Sequence, residues 1–233
     1  MDILRDLIGS LIVSCQPVPG GPLDKSYIIA AFAQAAIAGG ARGVRIEGAA
    51  NVREVRKAIS EPIIGLIKRD LSDSDVRITP FLEDIDDLVD AGADIVAFDA
   101  TLRNRPVASN LLCAAVRRAG RLTMADISNF EEGRQAFADG ADIVGTTMSG
   151  YTGGVIPALP DFELLSRLAA LGRPVIAEGR ISSPGQAADA IGLGAFAVVV
   201  GTAITRMEIV TEGYAHAIER ARDSSRTPHS EPR

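Results

Sequence analysis

Eight short apolar runs, each followed by a stretch of helical periodicity, constrain the fold of this 233-residue chain more than any other feature. They are LIVSCQ (11–16), GVRIEG (43–48), IIGLIKR (63–69), DIVAFDA (94–100), LTMADIS (122–128), DIVGTT (142–147), VIAEGR (175–180) and AVVVGT (197–202). Val- and Ile-rich runs of this kind read as strands buried on both faces, the pattern of a parallel sheet with crossover helices. Four helix-ending turns repeat one theme, GGARGV, AGADIV, DGADIV and LGAFAV, with a glycine before Ala at Gly40, Gly92, Gly140 and Gly194. Glycine closes a helix in the left-handed conformation that residues with a Cβ avoid. Because this turn precedes runs two, four, six and eight, the chain reads as four βαβα quarters. The expectation is an α/β fold of the closed (β/α)8 TIM-barrel type rather than an open doubly wound sheet.

The chain length suits one such barrel. Residues 1–222 read as a single catalytic barrel domain, with MDILRDLI as an extra helix beneath it, and 223–233 read as a polar, disordered tail. A formal charge of −6 and a pI near 5.0 argue against a nucleic-acid or anionic-membrane partner, since such binding is driven by Lys and Arg neutralising phosphates. The opening segment carries two aspartates where a secretion signal would be basic, and no apolar run approaches the roughly 18 residues of a membrane span. A cytoplasmic location is therefore expected. Cys15 and Cys113 read as two reduced, buried thiols, and His216 and His229 as surface residues of the last helix and tail.

Active sites of these barrels lie at the carboxyl ends of the strands. Nearly every run here ends in a polar residue: Gln16, Arg45 with Glu47, Lys68, Asp99, Asp126, Thr146 or Thr147, Glu178, and the Gly201-Thr202 turn. Glu178 and Lys68 end runs seven and three, four apart in a ring of eight, so they can address one bound molecule from opposite sides. Lys68 follows the apolar IIGLI, where desolvation lowers an ammonium toward a useful base or Schiff-base nucleophile. The turns EGRISSPG and GTAITR bare backbone N–H groups at helix starts, the usual phosphate position in this fold, and Arg206 can add a charged clamp. Two long loops, RDLSDSDVRITP and MSGYTGGVIPALP, are placed to cover a ligand. No histidine stands at a strand end, so no metal site is expected among Asp99, Asp126 and Glu178.

Taken in order and at matching spacing over about residues 11 to 207, the motifs LIVSCQ, GARGVRIEG, PIIGLIKRD, ITP, GADIVAFDAT, ADIS, GTTMSGYT, VIAEGR and VVVGTAITR resemble the N-acetylmannosamine-6-phosphate 2-epimerases of amino-sugar and sialic-acid catabolism. The resemblance implies a barrel and a reversible interconversion of N-acetylmannosamine 6-phosphate and N-acetylglucosamine 6-phosphate. It assigns catalysis to Lys68 and Glu178, and the sugar to Gln16, Arg45 and Asp126. Gly179, Gly201 and Arg206 go to the phosphate. By position at the strand ends and turns, Thr147, Arg180 and Thr202 are expected to bind substrate as well. Departures from the family pattern stand at Phe81, Asn104 and Met207, in loops or helix starts.

Inverting carbon 2 of an N-acetyl sugar phosphate needs the open-chain aldehyde, a base to take the proton and an acid to return it, and no cofactor. Two residues acting on opposite faces, or one lysine acting while the intermediate rotates, both satisfy the sequence. Alternatives are a Schiff-base aldolase-type barrel using Lys68 and a non-catalytic sugar-phosphate sensor. The apolar residues Ile209, Tyr214 and Ile218 of the last helix offer a surface for a homodimer.

Overall fold

The computed structural model describes residues 2–224. Helix α1 (Ile3–Leu7) leads into β1 (Ser10–Ser14), and then strand and helix alternate: α2 (Ser26–Ala38), β2 (Gly43–Glu47), α3 (Ala49–Ala58), β3 (Ile63–Leu66), α4 (Leu82–Ala91), β4 (Ile95–Asp99), α5 (Ser109–Arg118) and β5 (Leu122–Asp126). The alternation continues through α6 (Phe130–Ala138), β6 (Ile143–Gly145), α7 (Phe162–Ala169), β7 (Val175–Glu178), α8 (Pro184–Gly192), β8 (Ala197–Val200), α9 (Thr202–Thr205) and α10 (Met207–Ser224). All eight strands are parallel and the sheet closes, with β1 pairing β8 from Ser10↔Ala197 to Val13↔Val200. This is the TIM barrel that the apolar runs imply.

Local chemistry sets the element boundaries. Gly40, Gly92, Gly140 and Gly194 all take positive φ, between 96° and 103°, as the repeated turn requires. Asn129, Asp161 and Ser183 cap α6, α7 and α8 by accepting from backbone N–H groups of the first turn, and Pro184 follows at the first helical position of α8. The strands stop earlier than the apolar runs do. Gln16, Lys68, Thr146, Thr147 and Thr202 lie beyond the ladder, where the chain turns to present side chains to the barrel mouth. The last helix runs through Ser224, past the boundary expected at 222, and the rest of the predicted tail lies outside the described residues.

Two apolar layers hold the barrel. One lies between sheet and helices; the other fills the interior with Ile12, Ile64, Leu66, Ile95, Met124, Ile143, Ile176 and Val199. Leu7 of α1 belongs to the interior cluster, with Ile3 and Leu4 packed against it, so α1 closes the base. At the base the Ser10 hydroxyl of β1 is tied to the Leu7 carbonyl at 2.7 Å, and the apolar interior layer above it forms a floor of hydrocarbon under the site. Both cysteines are free and buried, and His216 is exposed on α10. Among the described residues no helix is long and apolar enough to cross a membrane.

Leu7 is 0% exposed and its neighbour Ile8 is 65% exposed. Leu7→Ala should cost about 2–5 kcal/mol, lowering the melting temperature by about 5–15 °C, because the cavity opens inside a closed barrel. Ile8→Ala should leave it nearly unchanged. Equal losses in the two variants would mean that α1 does not close the base.

Candidate active site

Strand β2 alternates, so Arg45 points into the barrel, where it is 1% exposed. A guanidinium cannot lose its charge there and must be matched by carboxylates. Arg45 Nη2 lies 2.6 Å from Asp126 Oδ2 and Nη1 3.1 Å from Asp126 Oδ1, a bidentate pair across to β5. Nη1 also donates to Glu178 Oε2 at the end of β7. Thr147 Oγ1 sits 2.6 Å from Asp126 Oδ1 and 3.1 Å from Glu178 Oε2, and gives its single proton to one of them. Thr146 fixes the Glu178 backbone from both sides, donating to its carbonyl and accepting from its N–H. Gly145 faces this cluster because a Cβ there would fall 2.4 Å from Met124 Cε and 3.1 Å from Asp126 Oδ1.

One cation therefore serves two carboxylates. Burial works against the charge on Arg45, yet Asp126 and Glu178 hold its pKa above the ordinary range. Burial raises the Glu178 carboxyl to about 7; Asp126 adds to the rise, while Arg45, the Thr147 hydrogen bond and Lys68 oppose it. Asp126 thus meets Arg45 with two oxygens, and Glu178 meets it with one.

Across the mouth, the chain after β3 turns back on itself, pairing Lys68 with Ile78 in an antiparallel bridge. Arg69 N donates to Arg77 O at 2.9 Å and Thr79 N to Ile67 O at 2.7 Å. The Lys68 N–H is taken by Glu47 Oε1 at 3.2 Å, so the backbone beneath the side chain is fixed. Lys68 Nζ donates to Gln16 Oε1 at 2.6 Å, and Gln16 Nε2 to Ser14 Oγ at 2.8 Å. A neutral amine retains protons for that bond and keeps a lone pair to use elsewhere. Burial first, then the positive charges of Arg45 and Arg206, lower Lys68 to about 8, against the pull of Glu47.

Lys68 and Glu178 line one cavity of about 1130 Å³, a little above the roughly 300–1,000 Å³ of ordinary ligand sites. Gln16, Arg45, Thr147, Gly179, Gly201, Thr202 and Arg206 share its wall. Arg206 Nε donates to the Gln16 carbonyl at 3.1 Å, tying the start of α10 to the end of β1. Asp126 is 0% exposed and reaches the cavity only through Arg45 and Thr147. Arg180 borders the cavity, but its guanidinium is turned onto the loop between β6 and α7, bonding to the Ser149 and Leu159 carbonyls.

The wall also contains Arg77, Arg103 and Tyr151, which the strand-end rule passes over. Arg77 and Tyr151 sit on the two long loops, so the loops were the available signal. Arg103 belongs to a separate cluster in which Asp99, 0% exposed, takes Arg103 Nη2 at 2.6 Å and Arg105 Nη2 at 2.9 Å. Asp99 is thereby consumed by its own arginines, apart from the Arg45 cluster. Of the three family departures, Asn104 has a structural part: its Nδ2 donates to Asp73 O at 3.1 Å, joining the β3–α4 and β4–α5 loops. Phe81 precedes α4, its N–H donating to Asp84, and Met207 opens α10 at 62% exposure.

Comparison with known proteins gives consistent findings. A family described as "Putative N-acetylmannosamine-6-phosphate epimerase" matches residues 29–220. A protein of Edwardsiella ictaluri named as a putative N-acetylmannosamine-6-phosphate 2-epimerase is 56% identical over 211 residues, covering 91% of this chain and 90% of that one. A bifunctional NanE/NanK enzyme of Brucella melitensis is 57% identical over 221 residues, 94% of this chain. The chain spans only 43% of that longer protein. The N-acetylmannosamine-6-phosphate 2-epimerase structure from Clostridium perfringens superposes with a TM-score of 0.90 at 41% identity, covering 93% of this chain and 96% of that one.

The shared cation also sets a test that needs no substrate. Arg45→Met leaves two buried carboxylates without a counter-charge, a break that costs about 3–5 kcal/mol. The folded variant then favours a protonated carboxyl, whereas the unfolded chain ionises at the ordinary value. Its stability is therefore fullest below the unfolded carboxyl value and lost as pH rises. The melting temperature of the variant should fall by about 10 °C or more between pH 5 and pH 8, a steeper fall than the one Glu178 at about 7 already gives the unmutated protein. A variant whose melting temperature is independent of pH would mean that Arg45 does not hold the two carboxylates.

Proposed function

The chain belongs to the N-acetylmannosamine-6-phosphate epimerase family, and on that premise we propose that it interconverts N-acetylmannosamine 6-phosphate and N-acetylglucosamine 6-phosphate by moving the proton at carbon 2. The observation that carries the reading is a lysine and a glutamate on opposite strands of one cavity, the first lowered to about 8 and the second raised to about 7. Both groups exchange protons near neutrality, where general acid–base catalysis works best. No metal or cofactor is assigned a role.

In this reading the sugar enters open-chain or is opened in the cavity, so that the aldehyde acidifies the carbon 2 proton. Lys68, neutral and oriented by Gln16, takes that proton. Glu178 returns one at the opposite face, or assists ring opening while Lys68 acts alone. Arg45, with Asp126 and Thr147 behind it, offers positive charge to the enolate oxygen that develops at carbon 1. Gly179, Gly201, Thr202 and Arg206 hold the phosphate at the β7 and β8 turns, as in other barrels of this kind. A phosphorylated amino sugar as substrate also favours a cytoplasmic enzyme. For quaternary structure we propose a homodimer through α10, whose described side chains from residue 211 to 223 are all exposed, Tyr214 at 71% and Ile218 at 68%.

The test is proton NMR of N-acetylmannosamine 6-phosphate in deuterium oxide with the protein and a chelator present. The expected result is formation of the epimer with deuterium at carbon 2. Lys68→Ala should lose activity by a factor of about 10³ or more, since general base catalysis contributes typically 10²–10⁴. Glu178→Gln that washes deuterium into the starting sugar yet forms little epimer places Glu178 at the second face; loss of both together assigns it to ring opening. With a base at about 8 and an acid at about 7, kcat/KM should peak between those values, rising as Lys68 loses its proton and falling as Glu178 does. In Glu178→Gln the residual activity should lose the fall at high pH. Absence of epimerisation, or turnover near that of the unmutated protein in Lys68→Ala, would contradict the proposal.

A further inference from the structure

Arg180 follows Glu178 and Gly179 beyond β7 and takes a left-handed backbone, φ 60°, which a residue with a Cβ keeps only when its surroundings hold it there. What holds it is the loop between β6 and α7. Nε donates to the Leu159 carbonyl at 2.7 Å and Nη1 to the Ser149 carbonyl, so one guanidinium grips both ends of the stretch 150–158. Its Cζ also lies 5.4 Å from the centre of the Tyr151 ring. The loop folds tightly against this group: a Cβ on Gly150 would fall 2.6 Å from Pro157 Cδ and 3.0 Å from Arg180 Nη1. Tyr151, Thr152, Gly153 and Ala158 face the cavity, while Val155, 94% exposed, and Ile156, 56% exposed, point away from it.

A loop whose large apolar residues Tyr151, Val155, Ile156 and Leu159 are all exposed, and which carries three glycines, Gly150, Gly153 and Gly154, has little to fix its position from within. Its position follows from the Arg180 fork. A guanidinium suits this role because its planar donors are arranged to meet two carbonyls at once, which an ammonium on a flexible stem does less well. The same two donors are then not free to chelate an anion. We propose that Arg180 is a positioning residue that pins both ends of the β6–α7 loop and so sets Tyr151 over the cavity, rather than a clamp on the substrate's phosphate. The phosphate side of this statement rests on the epimerase reading; the loop side does not.

The experiment compares Arg180→Met and Arg180→Lys with the unmutated protein in two measurements. The first is the rate of native-state cleavage by thermolysin at the exposed Val155 and Ile156, with the fragments assigned by mass. The second is competitive inhibition of epimerisation by inorganic phosphate. Losing two charge-assisted hydrogen bonds should raise local opening, and with it loop cleavage, by about 10–100-fold in both variants, with the melting temperature nearly unchanged. The phosphate inhibition constant should stay within about threefold while kcat/KM falls, since a direct phosphate contact would be worth about 10–100-fold. Unchanged loop cleavage overturns the proposal. So does a phosphate affinity lost in Arg180→Met and kept in Arg180→Lys, the signature of a clamp that needs only charge. If Arg180→Met does not fold, Arg180→Lys decides through the same two readings; if the unmutated protein shows no epimerisation, the epimerase reading fails, and in that case, or if phosphate does not inhibit, cleavage alone decides this one.

Discussion

A single buried guanidinium organises the mouth of this barrel. Arg45 cannot shed its charge, and in a region of low dielectric it must be neutralised by groups that themselves dislike burial. Asp126 meets it with two oxygens and Glu178 with one, so the cluster holds two negative charges against one positive. Burial first, and then the second carboxylate at Asp126, raise Glu178 to about 7 against the pull of Arg45. Opposite, Lys68 feels Arg45 as a like charge and gives up its own proton more readily for it. One residue thus presses on the ionisation of both proposed catalytic groups, though it donates to only one of them.

The rest of the fold serves this arrangement. Ring closure sets β3 and β7 across from each other, and the strand register sets Arg45 between them, at the same level as Ser14 on β1 and Ile64 on β3. Below lies the hydrocarbon interior stoppered by Leu7, which denies water a route from the base. Glycine is required at Gly145 because Met124 and Asp126 occupy the space a side chain would need. The loop after β3 doubles back to fix Lys68, and the loop after β6 is gripped by Arg180. The two long loops are therefore stabilised by different means, one by backbone pairing and the other by a side chain.

How much of this was legible from sequence depended on whether the determining contact was local. The eight strands and four left-handed glycines are local patterns, period and turn chemistry, and they were readable to within a residue or three. Strand-end position was enough to single out Lys68, Glu178 and Gln16, because a closed barrel sends all such residues to one mouth. It could not rank them. Asp99 has the same position as Asp126, yet only the folded chain shows Asp99 bound by Arg103 and Arg105 from its own loop. By its place after Glu178 and Gly179, Arg180 reads from sequence as a substrate-binding residue. Its backbone angle and its hold on Ser149 and Leu159 depend on a loop more than twenty residues earlier in the chain. The ends of the apolar runs were overdrawn for a related reason: Thr146 and Thr147 look like strand residues by composition, but they leave the ladder to bond Glu178 and Asp126.

The central claim is that the shared cation leaves Glu178 protonatable near neutrality. Carbon-13 NMR of protein labelled at glutamate side-chain carboxyls, with Glu178→Gln supplying the assignment, measures this directly in the absence of substrate. A Glu178 midpoint near 7 that shifts when Arg45 is replaced is the predicted result. A midpoint at or below the ordinary carboxyl value of about 4.3 would show that Arg45 fully satisfies Glu178 and would contradict the account.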